Sequence, residues 1–375
     1  MQHKIYQKVL SFVFVFAILS CSKIDSPVTD DTTITNEIHL NTLFNLINIE
    51  DGFLISGISN SKVTISKLNV NFGIIWNKDN YEWGTTFSTG GWGGSFYAVD
   101  IIKIIVDKNG NYTCFCSITE GGDVTWSSVL VVKLDRFGNE INKIELDNTA
   151  LINVTETNDN GYMLFGNKLI KLNADLSQEW ENNDQNYVFT GAFIIPTNDN
   201  GLALTGTWNS DQVFLQKFDG KGVLQWTKRN YNQKPFNDLG YDLVQLTNGG
   251  FLIIGRTRNL KPPLDMNCLI IRTDIAGDTL WTKKYGGKSN EWLENFLFAS
   301  ENDYIIKETV GFANDTIHKT ILTRITADGQ IIDSKETNNF EKLLYVPSGY
   351  FVKAEKAESN NIKLSKVLIN DLFSK

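Results

Sequence analysis

Histidine, proline, methionine and cysteine are scarce in this chain of 375 residues, which holds three, six, three and four of them. Beyond a leader at the start, only His39 and His318 remain, far apart in sequence, so triads, histidine zinc sites and histidine acid–base schemes lack parts. No Cys-Cys pair occurs. Cys114 and Cys116 stand two apart on a strand-like segment, which points both thiols to one face instead of into a bridge, and with Cys268 they read as buried thiols. No Lys/Arg run occurs either, and the formal charge is -8. Both properties argue against nucleic acid, whose phosphates need a basic face. Helical periodicity of useful length is missing, as is any apolar run long enough to cross a bilayer.

What is present begins with a leader. His3, Lys4 and Lys8 make a basic start, and Val9 to Leu19 is an uncharged, largely apolar run. Ile18-Leu19-Ser20-Cys21 follows and resembles the lipobox of bacterial lipoproteins, although Leu19 stands where a small residue is usual. The resemblance implies a signal peptide over 1–20, acylation of Cys21 and membrane association through that lipid. Ser22 follows the cysteine where inner-membrane retention favours Asp. The expected location is therefore the outer membrane, at the cell surface or its periplasmic face. Residues 21–36, with Asp25, Asp30 and Asp31 among Ser, Thr and Pro, read as a flexible tether.

From residue 37 to 375 one pattern recurs: strand, Asn/Asp–Gly turn, strand, variable loop, strand, Gly turn, strand. The first turn shows at Asp51-Gly52, Asn109-Gly110, Asn160-Gly161, Asn200-Gly201, Gly249-Gly250, Asn302-Asp303 and Ser348-Gly349, copies spaced about 40 to 58 residues apart. Asn or Asp before Gly supplies the positive-φ positions of tight turns. Four short strands in such a period predict an all-β fold, a seven-bladed β-propeller, with six or eight blades as alternative counts. The last copy has three strand candidates, and Ile34 to Leu40 precedes the first copy, so an N-terminal strand should close the ring.

The second half of the repeat is sharper. Lys217, Asp219, Gly222, Trp226 and Arg272, Asp274, Gly277, Trp281 share one spacing. Trp180 keeps it without the glycine and Trp76 nearly does, while Asn142 takes the aromatic place in copy two. This Asp…Gly…Trp series resembles the quinoprotein-like group of lipoprotein propellers with PQQ-like repeats. That likeness implies architecture, with the Trp side chains between neighbouring sheets, and says little about activity. Members that bind a quinone and calcium use adjacent cysteines that this chain lacks, so no cofactor is expected. Metal ligation is not expected either: Asp107 to Asn111 and the twin Thr-Asn-Asp-Asn-Gly turns at 157–161 and 197–201 look like calcium loops but want the bidentate Glu.

The remaining tryptophans, Trp83, Trp92, Trp126, Trp208 and Trp292, fall in connections, beside Tyr97, Tyr231 and Phe236. Such connections emerge at one end of a propeller. Gathered aromatics there suit a sugar ring or the apolar side chains of a partner, although pinning long loops to the body would explain them too. The expected function is a non-catalytic binding or scaffolding module for a glycan, a peptide or an outer-membrane protein. A hydrolase using carboxylates on the propeller face, or a structural subunit of an outer-membrane assembly, are the alternatives.

Overall fold

The computed structural model describes residues 35–79, 87–88, 96–121, 126–182, 189–208, 212–229, 231, 237–258, 266–285, 290–300, 303–311, 319–338, 340–357 and 361–373. These form a seven-bladed β-propeller of small antiparallel sheets. Blade one comprises Thr42–Ile49, Gly52–Ser59, Lys62–Asn69 and Ile74–Lys78; blade two Phe96–Val106, Tyr112–Gly121, Trp126–Leu134 and Glu140–Leu146. Blade three is Leu151–Glu156, Tyr162–Gly166, Leu169–Leu172 and Gln178–Asn182; blade four Phe189–Pro196, Leu202–Trp208, Gln212–Phe218 and Leu224–Arg229. Blade five is Asn237–Gln245, Phe251–Arg258, Met266–Thr273 and Thr279–Tyr285; blade six Asn290–Ser300, Asp303–Gly311, Lys319–Thr326 and Ile331–Thr337.

Blade seven takes three strands from the end of the described chain, Lys342–Val346, Tyr350–Lys356 and Asn361–Leu368, and its fourth from the beginning, Thr35–His39. The closing strand pairs antiparallel with the third, from Thr35 opposite Ser365 to His39 opposite Asn361. Closure thus occurs as the repeat count requires. A short helix, Ile369–Phe373, follows and buries Leu372.

Burial follows position in the blade. Second and third strands are covered on both sides by neighbouring blades, and so burial along them is nearly continuous, Tyr162–Gly166 and Leu169–Leu172 being buried at every residue, Lys171 included. Fourth strands have one exposed side and alternate, as Gln178–Asn182 does. The seven first strands contact each other in sequence around the axis, including blade seven with blade one. The apolar core is accordingly divided into seven clusters, one at each junction. No blade covers its own faces; the stack does so collectively.

The junctions explain the repeat. Trp76, Trp180, Trp226 and Trp281 each lay the indole against a glycine in the turn before the fourth strand of the following blade: Gly138, Gly222, Gly277 and Gly329. At Gly222, φ is +74° and a methyl group would lie 2.0 Å from Trp180 Cη2, so backbone and space both demand glycine. The sequence pattern groups Gly222 with Trp226; the fold pairs it with Trp180, one blade earlier. The repeat acid holds the same turn, since Asp219 Oδ1 accepts the backbone N–H groups of Lys221 and Val223 at 2.9 Å. Asp274 likewise accepts from Asp278 N at 2.8 Å.

Candidate functional site

Six of the seven first strands carry a β-bulge near the axis, where one extra residue re-aims the chain. In blades one, two, three, five and six the residue after the bulge is polar: Asn45, Lys103, Asn153, Asp242 and Asn295. Two of these side chains reach the next first strand. Asn45 Nδ2 donates to Ile101 O at 2.9 Å, and Lys103 Nζ donates to Val154 O at 2.9 Å. This polar belt underlies a cleft of 570 Å³ at the end of the axis where the first and second strands turn. Ile47, Asn48, Lys103, Thr155, Glu156 and Pro196 line it, together with Thr157, Asn158 and Asn160. A second space of 330 Å³ between blades three and four shares Thr157 and Asn158 with it and adds Asn200 and Gly201. The twin Thr-Asn-Asp-Asn-Gly turns therefore build the rim of one polar surface.

Its electrostatics follow from burial. Desolvation pulls the Lys103 ammonium below its usual range, and the carboxylate of Asp242 offsets this only in part. Glu156 is pushed up, first by desolvation and then by repulsion from Asp107. Asp159 is desolvated as well, yet hydrogen bonds from Lys171, Thr157 and Gly161 N overcome that and lower it to about 2. The turn acids resembling calcium loops are thus held by the protein itself: Asp107 Oδ1 accepts from Asn109 N and Asn111 N, and Asp159 pairs with Lys171 at 2.8 Å. With amides and hydroxyls along the walls and one desolvated amine below, the cleft can orient a polar chain through many hydrogen bonds.

The aromatic residues singled out from sequence sit elsewhere. Strand directions place the backbones of Tyr97, Trp126, Trp208 and Trp292 at the opposite end of the blades, where second strands lead into third and one blade leads into the next. Tyr97 and Trp126 both stand opposite Glu120, and Trp292 stands opposite Thr309. Trp83, Trp92 and Phe236 lie outside the described residues. Phe87–Ser88, from the same insertion as Trp83 and Trp92, pairs with Phe96 and Tyr97 on the free inner edge of blade two, and so it lies toward the axis.

Two aromatics have structural neighbours. The guanidinium of Arg229 lies 3.5 Å from the Trp208 ring centre. Tyr231 is a correction: it is 9% exposed, packs with Leu215, Leu243 and Leu269, and donates its hydroxyl to Gly277 O at 3.3 Å. It therefore seals a junction instead of standing on a rim, because the chain after blade four folds back against the outer strand of blade five, where Thr282 Oγ1 donates to Tyr231 O.

Cys114, Cys116 and Cys268 are buried thiols, and desolvation raises the Cys114 and Cys116 thiols. His39 Nδ1 lies 3.0 Å from Asn361 Oδ1 in the closing sheet, while His318 lies outside the described residues. The axial cleft itself was not read from sequence. Its signal was available, since Asn45, Lys103, Asn153 and Asp242 interrupt otherwise apolar first strands, but a bulge moves such residues off simple alternation.

No family model matches this chain, and no curated protein matches it. Among solved structures it is similar to BBS1N in complex with ARL6DN, with a TM-score of 0.50 at 9% identity over 88% of this chain and 92% of that one. A second crystal of that complex, soaked with mercury, gives 0.50 at 8% over 90% and 98%. Drosophila Plexin A in complex with Semaphorin 1b gives 0.46 at 8% over 90% and 87%. At such identity the likeness to BBS1N bears on the fold.

Proposed function

We propose that this chain is a non-catalytic binding propeller, tethered by lipid on Cys21 at the outer membrane, that receives a polar segment of a partner protein in the axial cleft. The carrying observation is the 570 Å³ cleft, which Lys103 lines together with the amides of Asn48, Asn158 and Asn160 and the hydroxyls of Thr155 and Thr157. Hydrogen-bonding groups fixed on a rigid ring hold a partner at little entropic cost. Among the described lining residues Glu156 is the single carboxylate, whereas glycoside hydrolysis works with two. A protein partner is the ligand class that BBS1N holds in its complex.

Crosslinking and co-purification of the full chain from detergent-solubilised membranes test the reading. Wild type should retain a partner that Asn158→Ala combined with Lys103→Met loses. Retention by that variant, with loss on combining Trp83→Ala, Trp92→Ala and Trp126→Ala, would move the site to the aromatic end, for which the axial placement of Phe87–Ser88 speaks. The tether is tested separately: Cys21→Ser should shift the chain from membrane to soluble fractions, and firm association would overturn lipid anchoring.

A further inference from the structure

Blades one to six each carry a cation near the end of the third strand, and five of them neutralise it from the turn between first and second strands. Lys67 meets Asp51 at 2.8 Å, Lys133 meets Asp107 at 3.5 Å, Lys171 meets Asp159 at 2.8 Å and Lys217 meets Asp199 at 2.9 Å. Arg324 is held by Asp303, its Nε donating to both carboxylate oxygens at 2.9 Å.

Blade five departs from this pattern. Arg272 stands opposite Trp281 as Lys171 stands opposite Trp180 and Lys217 opposite Trp226. The place of the acid is taken by Asn248, whose Oδ1 accepts Gly250 N at 3.2 Å just as Asp159 and Asp199 accept Gly161 N and Gly201 N. A second acceptor is missing too. In blades three and four the bulged residue of the fourth strand returns to the cation, Glu179 lying 3.7 Å from Lys171 Nζ and Gln225 Oε1 3.4 Å from Lys217 Nζ. In blade five that residue is Leu280, an aliphatic side chain as in blades one, two and six, where Ile75, Ile141 and Ile332 take the place; blade five alone of the six lacks the turn acid as well.

Arg272 is only 7% exposed, and its one hydrogen bond among the described residues goes to Thr273 O at 3.4 Å. Asp328 and Tyr304 of blade six influence the guanidinium electrostatically, but no carboxylate among the described residues pairs with it directly. A cation so enclosed and so poorly hydrogen-bonded is costly, and it favours any arriving anion. Beside it, Ile275 and Leu280 are 68% and 58% exposed.

We propose that blade five is left open for a carboxylate supplied in trans: an Asp or Glu side chain of a partner protein, flanked by aliphatic residues that cover Ile275 and Leu280, docks on Arg272. The other five blades display the chemistry of the missing group. A planar guanidinium can take it through two parallel hydrogen bonds. The site stands on residues separate from the axial cleft and holds whether or not that cleft is occupied.

The test follows the Arg272 Nε–Hε resonance in the full chain labelled with 15N-arginine, assigned by its loss in Arg272→Lys or, if that variant fails to fold, by its displacement in Asn248→Asp. Added N-acetyl-Asp-N-methylamide should shift it saturably and leave Arg324, already held by Asp303, unmoved. Asn248→Asp restores the internal acid and should weaken this binding by about tenfold or more. A wild-type resonance that ignores the Asp derivative, an equal response to its Asn analogue, or undiminished binding by Asn248→Asp would overturn the proposal.

Discussion

The junction between blades three and four and the junction between blades two and three solve one packing problem with opposite residues. At the first, the Trp180 indole lies against Gly222. At the second, blade two has Asn142 in place of the tryptophan, and blade three has Leu176 in place of the glycine. Leu176 nevertheless holds φ at +73°, the conformation of Gly222 at +74°. Its side chain fills the space an indole would have occupied, packing with Ile144 and Leu146, while Asn142 Nδ2 donates to Asp175 O at 3.0 Å. The junction between blades seven and one repeats the second solution: Phe72 has φ +64° and packs on Phe53, and Asn36 Nδ2 donates to its carbonyl at 2.7 Å. What is held constant is the turn and a filled junction, so losing the indole in one blade goes with losing the glycine in the next.

Breaking the comparison at its tightest point should cost most. Gly222→Val meets both Trp180 and an unfavourable φ, and urea unfolding should show a loss of about 3 to 5 kcal/mol. Leu176→Gly, at the same backbone conformation, relieves strain but empties a buried site. It should lose about 2 to 3 kcal/mol on the same assay, and a gain in stability would contradict the packing role of Leu176. Asn142→Trp alone should destabilise because Leu176 occupies the indole's place. Combined with Leu176→Gly it should recover about 1 to 3 kcal/mol relative to additivity, and a double-mutant cycle without that coupling would sink the exchange rule. Asn142→Ala removes one hydrogen bond and should cost about 1 kcal/mol.

The smallest effect concerns the acid in blade three. Desolvation would raise Asp159, but Lys171 and the turn donors pull it to about 2, below its ordinary 3.8. Its contribution is therefore present above about pH 4 and lost as pH falls toward 2. Denaturant midpoints measured across that window should fall less steeply in Asp159→Asn than in wild type. Exposure of the Asp159 side chain keeps this difference modest.

Repeat number, strand order within a blade and the closing role of the N-terminal strand were legible because each depends on local turn chemistry and on apolar runs of limited length. Gly249 at φ +84° and Asn160 at +62° sit where Asn–Gly turn signals mark them. The site was less legible. Tyr231 reads as a loop aromatic, and only the fold shows the chain returning to bury it. Lys103 reads as a stray charge in an apolar strand, yet the bulge after Ile101 directs it to the carbonyl of Val154 on another blade.

Sequence alone determined the module, because tight turns and two-sided burial leave their marks within some fifty neighbouring residues. Which glycine serves which tryptophan, and which cation is left without its acid, was decided only when the ring closed. Those relations join residues of different modules, or compare the same place across modules, and no local pattern carries them. The exposed Ile275 and Leu280 and the enclosed Arg272 acquire meaning together only in the assembled blade.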